Sequence, residues 1–299
     1  TYEEEEEDDD NEEEHELSNL EEGNGDEFLP QDLMEKLSDD SEDQDDENPH
    51  MEDLANVLSV FFHNSEGENV VDVLTNVLLN HVILGEVESS SLTNGYANTQ
   101  AISGASGTNM SLYINTDNGV SFNGVSNVIT ADVSASNGVV HVVDGVIGLP
   151  SIVTFALADP NFEVLVQALT REDLTQDFVG LLSIPAGSPP SPFTVFAPIN
   201  SGFVNLLAEL GVDSLNDIDE PTLSAVLTYH VVVGANQLSV NLSGGMEFTT
   251  AQGGNLLFNF DDLGGGVLTD NNDRTSNIIA LDVQADNGII HAIDTVVLP

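Results

Sequence analysis

Apolar residues recur at helical spacing and then at strand spacing, and that order occurs twice along the chain. In the first block Leu54, Val57, Leu58 and Phe61, then Val70, Val73, Leu74 and Val77, mark one face of a helix each. From His81 onward, short β-branched runs are broken by Asn, Gly and Ser, which predicts strands and turns. The second block opens with Asp159 before Pro160, a cap and a first-turn proline, with Phe162, Leu165, Val166 and Leu169 as the buried stripe behind them. Residues 185–192 read as a stiff proline-rich loop, and Phe193 to Phe196 as a strand. Asn200 is expected to cap a helix carrying Phe203, Leu206, Leu207 and Leu210, which Gly211 ends. Glu220 and Pro221 start another helix, with Leu223, Val226 and Leu227 facing inward, and strands follow His230. Helices clustered ahead of mainly antiparallel strands predict an α+β fold.

The two blocks are copies of one module. Asn137-Gly138-Val139-Val140-His141-Val142-Val143-Asp144 returns roughly 150 residues later as Asn287-Gly288-Ile289-Ile290-His291-Ala292-Ile293-Asp294. Each is preceded by an apolar run, residues 127–133 and 277–283, and followed within a few residues by Leu-Pro. Asn-Gly between β-branched runs predicts a hairpin. A period of this size is too long for a solenoid and fits two whole domains in tandem.

Three boxes in the second copy carry a resemblance: Phe193-Thr194-Val195-Phe196-Ala197-Pro198-Ile199-Asn200, the pair Tyr229-His230, and Gly288 to Asp294 with Leu298-Pro299 close behind. In that order they resemble the fasciclin-type adhesion domain. Residues 151–299 carry all three. The first copy keeps the later half, with Asn80 in place of the tyrosine beside His81. Asn48-Pro49-His50-Met51 stands where Ala197-Pro198-Ile199-Asn200 would align. The expected organisation is therefore an acidic segment over 1–50 that stands in for the start of domain 1, an incomplete fasciclin-like domain over 51–150, and a complete one over 151–299. The resemblance implies two β-wedges with helices packed on them, an extracellular or cell-surface location, and no enzymatic activity. In the family the Tyr-His region is linked with adhesion and receptor binding, which makes Tyr229, His230 and His81 the candidate partner-binding residues.

Charge narrows the partners. The chain has 299 residues, 53 of them acidic, against only Lys36, Arg171 and Arg274, a formal charge of −50. The first 53 residues hold 27 of those acids, a run that normally repels itself. Without lysine and arginine there is no surface for nucleic acid or for an anionic membrane. Cations and basic partner surfaces are the favoured counterparts. There is no cysteine, which removes disulfides and thiolate metal sites. No apolar run reaches the ~20 residues that span a bilayer. The chain opens at Thr1, and the expectation is a processed product whose export signal lay upstream.

Candidate chemistry centres on histidine and aspartate. His81/His141 and His230/His291 form a repeated pair, and a repeated pair invites metal binding or acid–base work. The alternative is that they are hydrogen-bonded structural positions. Asp144 and Asp294, three residues beyond a strand histidine, point to the opposite face and make no His–Asp couple within that strand. These four residues, His141, Asp144, His291 and Asp294, read as structural. Asp261, Asp262, Asp270 and Asp273 group carboxylates on loops, and Asp117 does so with Asn118 in the first copy. Such loops suit a weakly bound Ca²⁺ or another divalent cation, or are turn chemistry alone. No nucleophile elbow, zinc helix or phosphate-cradling loop occurs.

Two functions follow. The first is a non-enzymatic adhesion or matrix protein that binds protein or polysaccharide through exposed loops. The second is a structural subunit of a self-assembling extracellular filament or matrix, with copies joined head-to-tail through the incomplete first domain. Divalent cations or high salt would drive that assembly.

Overall fold

A computed structural model describes residues 70–299; the acidic segment 1–50 and the helical pattern over 54–61 lie outside the described residues. The first copy comprises α1 (Val70–Leu79) and the strands β1 (Gly95–Ile102), β2 (Asn109–Asn115), β3 (Ser121–Phe122), β4 (Ser126–Ala135) and β5 (Gly138–Val143). They form one sheet in sequential order, antiparallel throughout.

The second copy adds α2 (Ile152–Ala158), α3 (Glu163–Leu169), α4 (Phe178–Leu182), β6 (Phe193–Pro198), α5 (Asn200–Leu210), α6 (Glu220–Tyr229) and β7 (Val231–Val233). It closes with β8 (Met246–Thr249), β9 (Asn255–Phe260), β10 (Gly266–Thr269), β11 (Thr275–Gln284) and β12 (Gly288–Ile293). Its seven strands run β7-β6-β12-β11-β10-β9-β8, and β6 with β12 is the parallel pair. The mixed architecture is α+β.

Local chemistry explains the helix ends. Ser151 and Thr154 form a reciprocal capping box on α2. Asp219 caps α6 ahead of Pro221, and Gly211, at φ 68°, closes α5. Asn200 does not cap α5. Its side chain accepts from the Val164 N–H and donates to the Pro160 carbonyl, pinning the start of α3 instead. Tertiary demand for an amide at that point outweighs the local cap. Both hairpins form, but the glycines open the strands β5 and β12 rather than sitting in the turns.

Strand β6 divides the core of the second copy. Phe193, Val195 and Ala197 face the helices, in one cluster with Phe155, Phe162 and Phe178. Phe196 faces the other way, with Tyr229, Phe248, Phe258 and Ile293. All six strand residues are buried, against β12 on one edge and β7 on the other.

The copies meet in a polar seam. The Gln284 N–H donates to Ser111 Oγ at 3.0 Å and its amide to Ser103 Oγ at 3.0 Å. Ser103 Oγ donates to the Ala285 carbonyl at 2.7 Å, and the Gly104 N–H to Asp286 at 2.9 Å. Tyr96 completes the seam, its ring edge-on to Phe155 and its hydroxyl donating to Asp159 at 2.9 Å.

Among the described residues the first copy has five strands and the second seven, with no counterpart of β6 or β7 in the first. Leu227, Ile290 and Ala292 are 3%, 1% and 6% exposed, whereas their counterparts Leu78, Val140 and Val142 are 60%, 51% and 38% exposed. A Cβ at Gly288 would lie 2.4 Å from the Phe193 carbonyl oxygen, while one at Gly138 meets nothing within 4 Å. Gly288→Ala should therefore cost about 2–3 kcal/mol through overpacking, and Gly138→Ala should stay within about 0.5 kcal/mol of the parent. Urea unfolding of the two variants checks this, and equal losses would contradict the difference between the repeats.

Candidate functional site

The four repeated histidines form two kinds of bracket, and each kind occurs in both copies. His81 sits at the end of α1, where its Nδ1–H donates to the Val77 carbonyl at 2.8 Å and its Nε2 accepts from the Ile147 N–H at 2.9 Å. His230 repeats this at the end of α6, with the Val226 carbonyl at 2.7 Å and the Val297 N–H at 3.2 Å. Each ties a helix terminus to the closing segment of its repeat.

The second bracket crosses strands. β4 and β11 each break register around an aspartate in the left-handed region, Asp132 at φ 57° and Asp282 at φ 58°. The Asp132 N–H donates to His141 Nδ1 at 3.4 Å, and His141 Nε2–H donates to the Val87 carbonyl at 2.9 Å. Asp282, His291 and the Gln237 carbonyl repeat it at 3.3 and 2.8 Å. Each aspartate also accepts from the backbone and hydroxyl of a serine, Ser89 or Ser239. A bulge that turns its aspartate into the left-handed region would leave ladder groups unpaired, and the bracket supplies their partners.

Asp144 and Asp294 serve in a third repeated contact, accepting from the backbone and side chain of Asn127 and Asn277 respectively. Hydrogen bonds from Ser89 hold the Asp132 carboxyl below the usual carboxylate range, and those from Asn127 do the same for Asp144. The histidine partner in each copy is therefore Asp132 or Asp282. Its sequence signal was an aspartate repeated inside an otherwise apolar run.

Tyr229 and His230 are buried, at 0% and 4% exposure, so neither offers a side chain to a partner. The Tyr229 hydroxyl donates to the Asn255 carbonyl and accepts from the Asn271 N–H. His81 lies at the surface. The loop aspartates are also engaged. Asp261 accepts from Leu263 and Gly265 N–H groups. Asp270 is buried and accepts from Asn272, Arg274 and Leu298 N–H groups, and Asp273 holds a left-handed turn position at φ 60°. Asp262 is exposed. Among the described residues no three His, Asp or Glu side chains converge as a metal site. Both described arginines are committed: Arg171 to Asp173 and the Leu215 and Ile218 carbonyls, and Arg274 to Glu209. No single helix among the described residues is long and apolar enough to cross a membrane.

Among the described residues of the first copy, a slot opens beside β5. It is a cleft of about 530 Å³, lined on one side by His81, Val82 and Ile83 and on the other by Asn137 to His141, with Leu112, Phe122 and Ile147 at its floor. In the second copy the equivalent slot is filled by β6. There Phe196 stacks on His291, ring centroids 5.7 Å apart and 27° between planes, and Asn287 binds the ends of α2 and α4.

The chain belongs to the fasciclin domain family, whose model matches residues 63–150 and 160–299. It is 34% identical to protein sll1735 of Synechocystis over half of this chain and 98% of that protein. It is 30% identical to human periostin over 77% of this chain, which spans a quarter of periostin's length. A solved FAS1 domain pair from the insect cell adhesion molecule fasciclin I gives a TM-score of 0.48 at 20% identity, over 75% of this chain and 79% of that one. The family is one of non-enzymatic adhesion and matrix proteins, typically secreted or at the cell surface.

Burial lowers His230 to about 4 and lowers His291 in the same sense. The unfolded chain then takes up protons first. Stability associated with His230 is full above about pH 6.5 and lost as pH falls toward 4, a loss of about 3 kcal/mol. Burial raises the Asp286 carboxyl, which acts the opposite way, so the comparison needs a variant. His230→Asn should start less stable at pH 7.5 and show a flatter decline from pH 6.5 to 4 in urea titrations. Parallel curves for parent and variant would show that His230 does not carry the dependence.

Proposed function

We propose that this protein is a non-enzymatic adhesion or matrix component that binds protein or polysaccharide outside the cell. The observation that carries the reading is the full commitment of its candidate chemical groups. Among the described residues the four repeated histidines, their aspartates and Arg171 hold backbone groups or side chains of the fold, and Arg274 pairs with Glu209, which leaves shape and negative charge to recognise a partner. Basic protein surfaces, or glycans bridged by cations, suit such a face. Binding to immobilised matrix proteins and glycans is the direct test. A charge-led partner should release as NaCl rises past 0.15 M, on the scale of the Debye length.

Tyr229→Phe separates partner binding from structure. Removing the hydroxyl leaves the Asn255 carbonyl and the Asn271 N–H without it, a cost of about 1–3 kcal/mol. Binding per folded molecule should be unchanged. A variant that folds normally yet loses its partner would return Tyr229 to the interface.

The slot beside β5, where no described strand stands in the place of β6, favours a second reading, a subunit of an extracellular filament or matrix. A chain with charge −50 repels its copies at low ionic strength. Mass measured by light scattering should then grow with added Ca²⁺ or salt, and a monomer at every condition removes this reading.

A further inference from the structure

We propose that the second copy binds a small, uncharged apolar molecule of roughly ten carbon atoms in a cavity between α2, α3, α4 and β6. The site goes beyond the adhesion and filament readings and depends on neither.

The cavity has a volume of about 280 Å³, and its lining residues all lie between 152 and 290, within the described part of the chain. It arises from the way one apolar stretch folds. Residues 152–169 are apolar enough by composition to pass for a membrane span, but Asp159 and Pro160 break them into α2 and α3, bent by 95°. Asp159 turns away to accept from Tyr96, and Glu163 is exposed, so neither acid enters the cavity. Ala156 and Leu157 of α2 stand on one side, Val166 and Leu169 of α3 on a second, and Val179 and Leu182 of α4 on a third. Val195 and Ile290, from the paired strands β6 and β12, lie at the floor. Leu157 and Val179, 66% and 37% exposed, mark the mouth.

Size and chemistry select the ligand. An apolar cavity of about 150 Å³ stays dry and takes benzene, so one nearly twice as large suits about ten carbons. A cavity of this size costs its walls their dispersion contacts unless something fills it. Only two polar side chains line it, and both are spent within the fold. Thr170 Oγ1 donates to the Val166 carbonyl, and His230 uses its two ring nitrogens on the Val226 carbonyl and the Val297 N–H. The walls thus offer a polar headgroup no charge and no free N–H. Anions are opposed again at the mouth. The turn between α3 and α4 carries exposed Glu172, Asp173 and Asp177, and Arg171 beside them is bound to Asp173 and to two carbonyls. A neutral chain therefore enters where a carboxylate of the same length is repelled.

Titration of the whole chain with decanol and with sodium decanoate, read by equilibrium dialysis and by melting temperature, tests the site. One decanol should bind per chain and raise the Tm with its concentration. Decanoate should bind at least about tenfold more weakly at low salt. Ala156→Phe fills the cavity from its wall and should weaken decanol binding at least about tenfold, with no fall in the ligand-free Tm. Leu157→Asp, at the exposed mouth, keeps the test open if the larger side chain disturbs folding, and should weaken decanol binding by a similar factor. Retention on phosphatidylcholine vesicles that Ala156→Phe abolishes would make the ligand the tail of a lipid, and decanol uptake without such retention makes it a soluble molecule. An unchanged Tm at saturating decanol, equal binding of decanol and decanoate, or decanol binding that both variants keep would overturn the proposal.

Discussion

A strand edge beneath a helical layer must have its amides and carbonyls paired, because no water reaches them there. β12 meets that demand through β6, and the helices α2, α3 and α4 can then close over both. The division of the core into two clusters, the stacking of Phe196 on His291 and the requirement for a glycine at 288 all follow from the presence of β6. β5 carries the same residues in the same order without that partner among the described residues. Valines that would be core are left at the surface.

Much of the fold was legible because it rests on short-range chemistry. Asp159 before Pro160, Gly211 after Leu210 and the β-branched runs around Asn137 and Asn287 specify caps and hairpins from neighbours only a few positions away. Asn200 misleads because its partners are 36 and 40 residues distant. The seam between repeats was illegible for the same reason: Ser103 and Ala285 are 182 residues apart, and nothing local marks either.

The site was half legible. The histidines stand out as a repeated pair, and their structural role was one of the two readings open from sequence. Their bonds go to backbone carbonyls and amides, groups that every residue offers and that no pattern of side chains reveals. Tyr229 and His230 stand out as recognition residues only through the family's Tyr-His pair, which says nothing of their burial. Each instead satisfies buried backbone groups, which is the commoner fate of a polar side chain inside a core.

The scarcity of basic residues has a consequence for how such a protein is noticed at all. Trypsin has only Lys36, Arg171 and Arg274 to cut in 299 residues, and the two arginine side chains are tied to carboxylates and carbonyls in the folded chain. Digestion yields a few fragments far longer than the peptides on which routine protein identification depends. Amine-directed labels and cross-linkers find one lysine. A protein of this composition offers trypsin-like enzymes few sites, and leaves almost no trace in a tryptic survey.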